Sequence, residues 1–80
     1  MALTPREFGV LHYLMYRRGE VVSKLELLEH VWDPHYDGDP NIVEVYVGYL
    51  RRKIDTPFDR NSLKTVRGAG YRLVDDDHAP

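Results

Sequence analysis

Eighty residues make one small domain, and 42% hydrophobic with 30% charged residues reads as a folded, soluble chain rather than a disordered one. The absence of cysteine excludes disulfides, thiol nucleophiles and thiolate zinc sites. No apolar run approaches the roughly 18 residues a bilayer span needs, and the N-terminus has no secretory pattern, so a cytoplasmic protein is expected, with no membrane partner.

The formal net charge is −2, but it is unevenly spread. Residues 1–40 hold four basic and seven acidic side chains, for −3. Residues 41–74 hold seven basic and three acidic ones, for +4, and Asp75, Asp76 and Asp77 return −3. One half of the chain is therefore positive although the whole is not. A basic half can be a solvated face or a surface for a polyanion, and charge alone does not choose.

In chain order, the first helix pattern opens at Thr4-Pro5-Arg6-Glu7. Thr4 and Glu7 have capping-box spacing, and Pro5 stands where a missing N–H costs nothing. Phe8, Leu11, Leu14 and Met15 follow at helical spacing as one apolar face, and Arg17-Arg18-Gly19 ends it. Glu20-Val21-Val22 reads as a short extended link. A second capping box, Ser23-Lys24-Leu25-Glu26, opens a helix with Leu25, Leu28, Val31 and Trp32 on its apolar side. Asp33-Pro34 stops it, since the residue before proline is pushed out of the helical region. Residues 35–38 form a loop.

A third helix, residues 40–54, is expected with Asp39 as cap and Pro40 at its first position. Val43, Val47, Leu50 and Ile54 recur at core spacing. Asn41, Val45, Gly48, Tyr49 and Arg52 fall on the other side, flanked by Arg51 and Lys53. Asp55-Thr56-Pro57 closes the helix. The period then changes from helical to alternating: Leu63-Lys64-Thr65-Val66 and Tyr71-Arg72-Leu73-Val74 are β-prone, with Arg67-Gly68-Ala69-Gly70 as a tight turn between them. The expected fold is α+β: three helices over residues 1–74 and a C-terminal β-hairpin, with residues 75–80 as a frayed acidic tail.

A helix fits the major groove of DNA, where base edges can be read, and an adjacent hairpin can carry an arginine to a neighbouring minor groove. The chain also strongly resembles the C-terminal effector domain of OmpR/PhoB-type response regulators. The resemblance runs through Leu3-Thr4-Pro5-Arg6-Glu7-Phe8, Val22 to Leu28, Val31-Trp32, Val43 to Val47 and Leu50 to Ile54. It ends on its most specific piece, Thr65-Val66-Arg67-Gly68-Ala69-Gly70-Tyr71-Arg72-Leu73. It implies a bacterial winged helix-turn-helix that binds DNA and controls transcription within a two-component system. Residues 40–54 would enter the major groove and the wing, residues 63–74, would meet the minor groove. Two domains would bind direct repeats head to tail as a tandem homodimer, and the loop 33–39 would face RNA polymerase. A receiver domain and a sensor kinase would belong to the full-length system.

Carried over by position, groove-facing candidates are Asn41, Val45, Gly48 and Tyr49. Phosphate candidates are Arg51, Arg52 and Thr65, and Arg67 is the wing arginine. Trp32 is either near the phosphate backbone or core packing. Many members of the family carry arginines where Gly48 and Tyr49 stand. A mid-helix glycine costs about 1 kcal/mol against alanine, and tyrosine cannot grip guanine with two donors. Fewer direct base contacts are expected, with a closer backbone approach at Gly48.

The family's domain also opens with a four-stranded sheet, whereas only Met1-Ala2-Leu3 precede Thr4. The chain is therefore expected to be a fragment, less stable than a full-length relative, with Val10 or Leu14 exposed and prone to self-association.

Other chemistries fit poorly. Gly68-Ala69-Gly70 lacks the following helix of a nucleotide-binding loop. Asp33, Asp37 and Asp39 lack the glycine and terminal glutamate of a calcium loop. His12, His30, His35 and His78 have no ligand spacing. No cofactor, metal or enzymatic activity is expected. The rival is a winged helix used only for protein contact or dimerisation. Arg51, Arg52, Lys53 and Arg67 argue against it.

Overall fold

The computed structural model describes residues 2–33 and 35–74. The stop expected at Pro34 and the tail at 75–80 lie outside the described residues. Three helices are followed by a hairpin, as expected: α1 (Pro5–Tyr16), α2 (Lys24–Val31), α3 (Ile42–Leu50), β2 (Leu63–Val66) and β3 (Gly70–Leu73). The link after α1 is more than a link. Val21 and Val22 form a short strand, β1, that pairs antiparallel with β3, Val21 opposite Arg72 and Val22 opposite Tyr71. The hairpin is thus two-thirds of a sheet of order β1-β3-β2. A two-residue strand is too short to display an alternating pattern, so only its pairing reveals it.

At the start of α1 the capping box is complete. The Thr4 hydroxyl accepts from the Glu7 N–H at 3.2 Å, and Glu7 Oε1 accepts from the Thr4 N–H at 2.9 Å. The buried face differs from the expected one. Glu7, Val10 and Leu14 point inward, while Phe8 and Met15 are 57% and 58% exposed. Val10 and Leu14, expected to be exposed, are fully buried. Apolar residues cover more than half of the α1 circumference, so periodicity alone allows more than one rotation. A charged residue settles it: Glu7 is drawn inward by Lys53, whose Nζ lies 2.6 Å from its carboxylate and also donates to the Ala2 carbonyl at 2.9 Å. The Lys53 ammonium holds the Glu7 carboxyl below the ordinary carboxylate range, and the Thr4 backbone N–H adds to this.

In α2 only half of the second capping box forms. Ser23 Oγ accepts from the Glu26 N–H at 3.0 Å. The Glu26 carboxylate instead receives the Tyr13 hydroxyl at 2.5 Å and the Arg17 guanidinium, stapling α1 to α2. The Tyr13 hydrogen bond, helped by Arg17, lowers the Glu26 pKa. The α2 face is also rotated: Leu27 is fully buried and Leu25 is 63% exposed.

The third helix is shorter than residues 40–54. Its entry is a tight turn in which the Ile42 and Val43 N–H groups donate to the Asp39 and Pro40 carbonyls, and Asp39 Oδ1 accepts from the Asn41 N–H at 2.9 Å. Regular α-helix starts at Ile42 and ends at Leu50, followed by a π-helical turn Arg51–Asp55 and a 3-10 turn Thr56–Phe58. The π turn shifts the helical phase. Val43, Val47 and Leu50 are buried as expected, but the next inward residue is Asp55 rather than Ile54, which is half-buried. Asp55 accepts from the Ser62 N–H, the Ser62 hydroxyl and the Leu63 N–H at 3.1, 2.5 and 3.0 Å. A buried carboxylate needs such partners. These three tie the end of the helix to the start of β2.

The core joins α1, α2 and α3 to the inner side of the sheet through Val10, Leu14, Val22, Leu27, Val43, Val47, Leu50 and Leu63, all fully buried. Each contributes about 1.5–3 kcal/mol. Burial of Val43, Val47 and Leu50 therefore outweighs the roughly 1 kcal/mol that Gly48 costs their helix.

Candidate nucleic-acid interface

The hairpin turn is built for a close fit. The Ala69 N–H donates to the Val66 carbonyl at 2.9 Å, with Gly68 at φ 76°. That positive φ suits glycine at the third position of a type II turn. Gly70, at φ 144°, lies so close to β1 that a Cβ would fall 2.1 Å from the Val22 carbonyl oxygen. The neighbouring strand β1, not the turn alone, imposes this glycine. The result is a braced loop with Arg67 exposed at its tip.

Arg51 joins this wing to α3. Its Nε donates to the Leu63 carbonyl at 3.0 Å and its Nη2 to Thr65 Oγ1 at 2.6 Å. Two predicted phosphate contacts are thus brought together, and in this arrangement each engages the other. Asn41, Val45, Tyr49 and Arg52 are exposed and Gly48 is half-exposed, all on the outward side of α3. A Cβ added at Gly48 would meet nothing within 4 Å, so no neighbour requires a glycine there.

The outward side of α3 has two flanks. Toward the wing, Glu44, Ser23, Lys24 and residues 65–71 line one cleft. Lys24 Nζ sits 3.2 Å from Glu44 Oε1 and 3.5 Å from Asn41 Oδ1. On the far flank runs a file of rings and cations. Arg6 lies 4.9 Å over Trp32, Trp32 meets Tyr46 edge-on at 5.4 Å, Tyr46 meets Tyr49 at 5.3 Å, and Arg52 lies 5.8 Å from Tyr49. Trp32 is only 7% exposed and belongs to the core cluster.

The positive face is thinner than the sequence suggested. Lys53 is spent on buried Glu7 and Arg51 on β2, leaving Arg52 and Arg67 turned outward from the four cations. Sequence reasoning missed Lys24 and Glu44, whose pairing spans 20 residues and leaves no local pattern. It read Asp55 only as the end of a helix.

Three helices with the third braced against a hairpin make this a winged-helix domain. Comparison with known proteins places it more narrowly: the family described as "Transcriptional regulatory protein, C terminal" matches residues 1–73, and the chain belongs to this OmpR/PhoB-type family. It is 51% identical over 74 residues to the transcriptional regulatory protein TcrA of Mycobacterium tuberculosis, a match covering 92% of this chain and 29% of TcrA. The chain spans about three tenths of the length of the curated relatives it matches. Among solved structures it is similar to the DNA-binding domain of Bacillus subtilis CssR, with TM-score 0.79, 32% identity and coverage of 90% of this chain and 77% of that one. It also resembles the response regulator AdeR DNA-binding domain in complex with an intercistronic region, with TM-score 0.83, 28% identity and coverage of 92% and 76%.

Proposed function

We propose that this domain is the effector end of a two-component response regulator. It docks on double-stranded DNA with α3 in the major groove and Arg67 of the wing at the minor groove, and so sets transcription of nearby genes. The observation that carries the reading is the Arg51 bridge to Leu63 and Thr65, which ties the end of the α3 segment to the base of the wing. A helix and a hairpin held at constant spacing can enter two neighbouring grooves of a duplex of constant pitch. Arg52 and Arg67 supply outward charge for phosphate and minor groove, Thr65 a hydroxyl, and Asn41, Val45, Gly48 and Tyr49 the surface offered to base edges. The AdeR domain of similar fold was solved in complex with an intercistronic region, which supports DNA as the partner.

Residues 1–74 form the DNA-binding unit, acting where the chromosome is. Two copies would sit head to tail on direct repeats. The loop 33–39, whose described residues are exposed and in which the Tyr36 hydroxyl donates to the Asp39 carbonyl at 3.2 Å, would face RNA polymerase. A receiver domain, answering to a sensor kinase, would precede the domain in the whole protein.

Affinity for duplex DNA measured across a range of salt tests the reading. Binding through phosphates weakens steeply with salt, with log K falling by about 0.9 per phosphate for each unit of log salt. A protein-contact module would show little dependence. Arg67→Ala is expected to weaken binding about ten-fold at moderate salt. Unchanged affinity would remove the wing from the interface.

A further inference from the structure

The cleft between α3 and the wing contains a charge that a DNA-facing surface should avoid. Glu44 projects a carboxylate from the outward side of α3, with its side chain 52% exposed. It stands three residues from Asn41 and four from Gly48, on the same face of the helix. Facing a polyanion, an uncompensated carboxylate repels. Lys24, reaching across from α2, compensates it at 3.2 Å. Tyr71, buried beside them, feels both charges: burial raises its pKa, Glu44 raises it further, and Lys24 and Arg51 oppose the rise.

We propose that Glu44, held by Lys24, is the specificity-determining side chain of this domain and reads the N4 amino group of a cytosine in the major groove. The proposal rests on the DNA-binding reading above. At Gly48 and Tyr49 the helix has no guanidinium to grip guanine, so selectivity must come from other polar groups on this face. A carboxylate is the acceptor that matches the cytosine amino group. A carboxylate also has two oxygens with several lone-pair sites, so an ion pair through Oε1 leaves capacity for a base. Lys24 performs two tasks at once. It cancels the charge that would keep α3 out of the groove, and it fixes the carboxylate and the Asn41 amide in one orientation.

The test is selection of bound sequences from a random duplex pool by the wild-type protein and by Glu44→Gln. Affinities of Lys24→Met, Glu44→Gln and the double variant are then measured on the selected site and on unrelated DNA. All these side chains are partly exposed, and circular dichroism checks that each variant is folded. The wild type is expected to select cytosine at one position. Glu44→Gln should lose that preference by about 5-fold to about 150-fold while keeping its other preferences, and should bind unrelated DNA more tightly. Lys24→Met should weaken binding about three- to ten-fold in the wild type and much less beside Glu44→Gln, because its main task would be gone. An unchanged base preference in Glu44→Gln, or equal costs of Lys24→Met in both backgrounds, overturns the proposal while leaving DNA binding intact. A wild type that binds no DNA overturns the parent reading, and this one with it.

Discussion

The base of the wing and the outward side of α3 are adjacent parts of one surface, built on opposite principles. At the base, each element is fixed by several partners. Asp55 takes three donors from Ser62 and Leu63, Arg51 takes the Leu63 carbonyl and the Thr65 hydroxyl, and Gly70 is pressed against Val22. On the outward side of α3, Asn41, Glu44, Val45, Tyr49 and Arg52 are exposed, and Gly48 has free space where a side chain could stand. The difference separates two tasks. Spacing between helix and wing must not vary, so it is over-determined. The outward side chains that the proposed function assigns to base reading carry little of the fold. Substitutions at the base should therefore cost stability, and those on the reading side should change binding at little structural cost.

The largest effect is expected at Gly70. Alanine there combines a strained φ with a Cβ 2.1 Å from the Val22 carbonyl oxygen, and β1 must separate from β3 to relieve it. A loss of at least about 3 kcal/mol is expected in urea unfolding. A loss below about 1 kcal/mol would mean that β1 is not held against the wing. Asp55→Ala comes next. It leaves two backbone N–H groups and a hydroxyl without their acceptor, and about 2–3 kcal/mol should be lost. DNA affinity should fall with it, because the wing loses its anchor on the helix.

The acid response is a smaller effect. The Lys53 ammonium beside Glu7, and the Tyr13 hydroxyl on Glu26, hold these carboxyls below the ordinary value of 4.5. The folded chain then binds fewer protons than the unfolded one through that range. Stability is fully present above the unfolded-state value and is lost as pH falls through the lowered folded-state values. Thermal melts from about pH 6 to about pH 3 should show this loss. Glu7→Gln should melt lower at neutral pH and lose less on acidification. An equal acid response in both proteins would assign it to other carboxyls.

The same contrast explains what could be read in the chain. Caps, turns and changes of hydrophobic period are local, so three helices and a hairpin were legible, together with the core positions Val43, Val47 and Leu50. The rest depended on partners distant in sequence. The rotation of α1 follows from Lys53, 46 residues away. The inward turn of Asp55 follows from donors at Ser62 and Leu63 combined with a π turn that no propensity announces. Lys53 looked like part of the basic surface because its neighbours in sequence are arginines, and an ion pair with α1 cannot be seen along α3.

Gly48→Ala is the smallest expected change and the sharpest probe of the comparison. With no atom within 4 Å of the added Cβ, alanine should fit without displacement. It should raise stability by about 0.4–1 kcal/mol, by improving helix propensity and restricting the unfolded chain. Binding should move the other way. If the bare backbone at Gly48 lets α3 sit close to the groove floor, a methyl group there holds the helix away and weakens the contacts at Asn41 and Val45. A two- to three-fold loss of affinity alongside a higher melting temperature would separate reading from folding on a single atom, at about 0.4–0.7 kcal/mol of binding. A gain in both would make Gly48 an ordinary surface position, and the close approach of α3 would have to be abandoned.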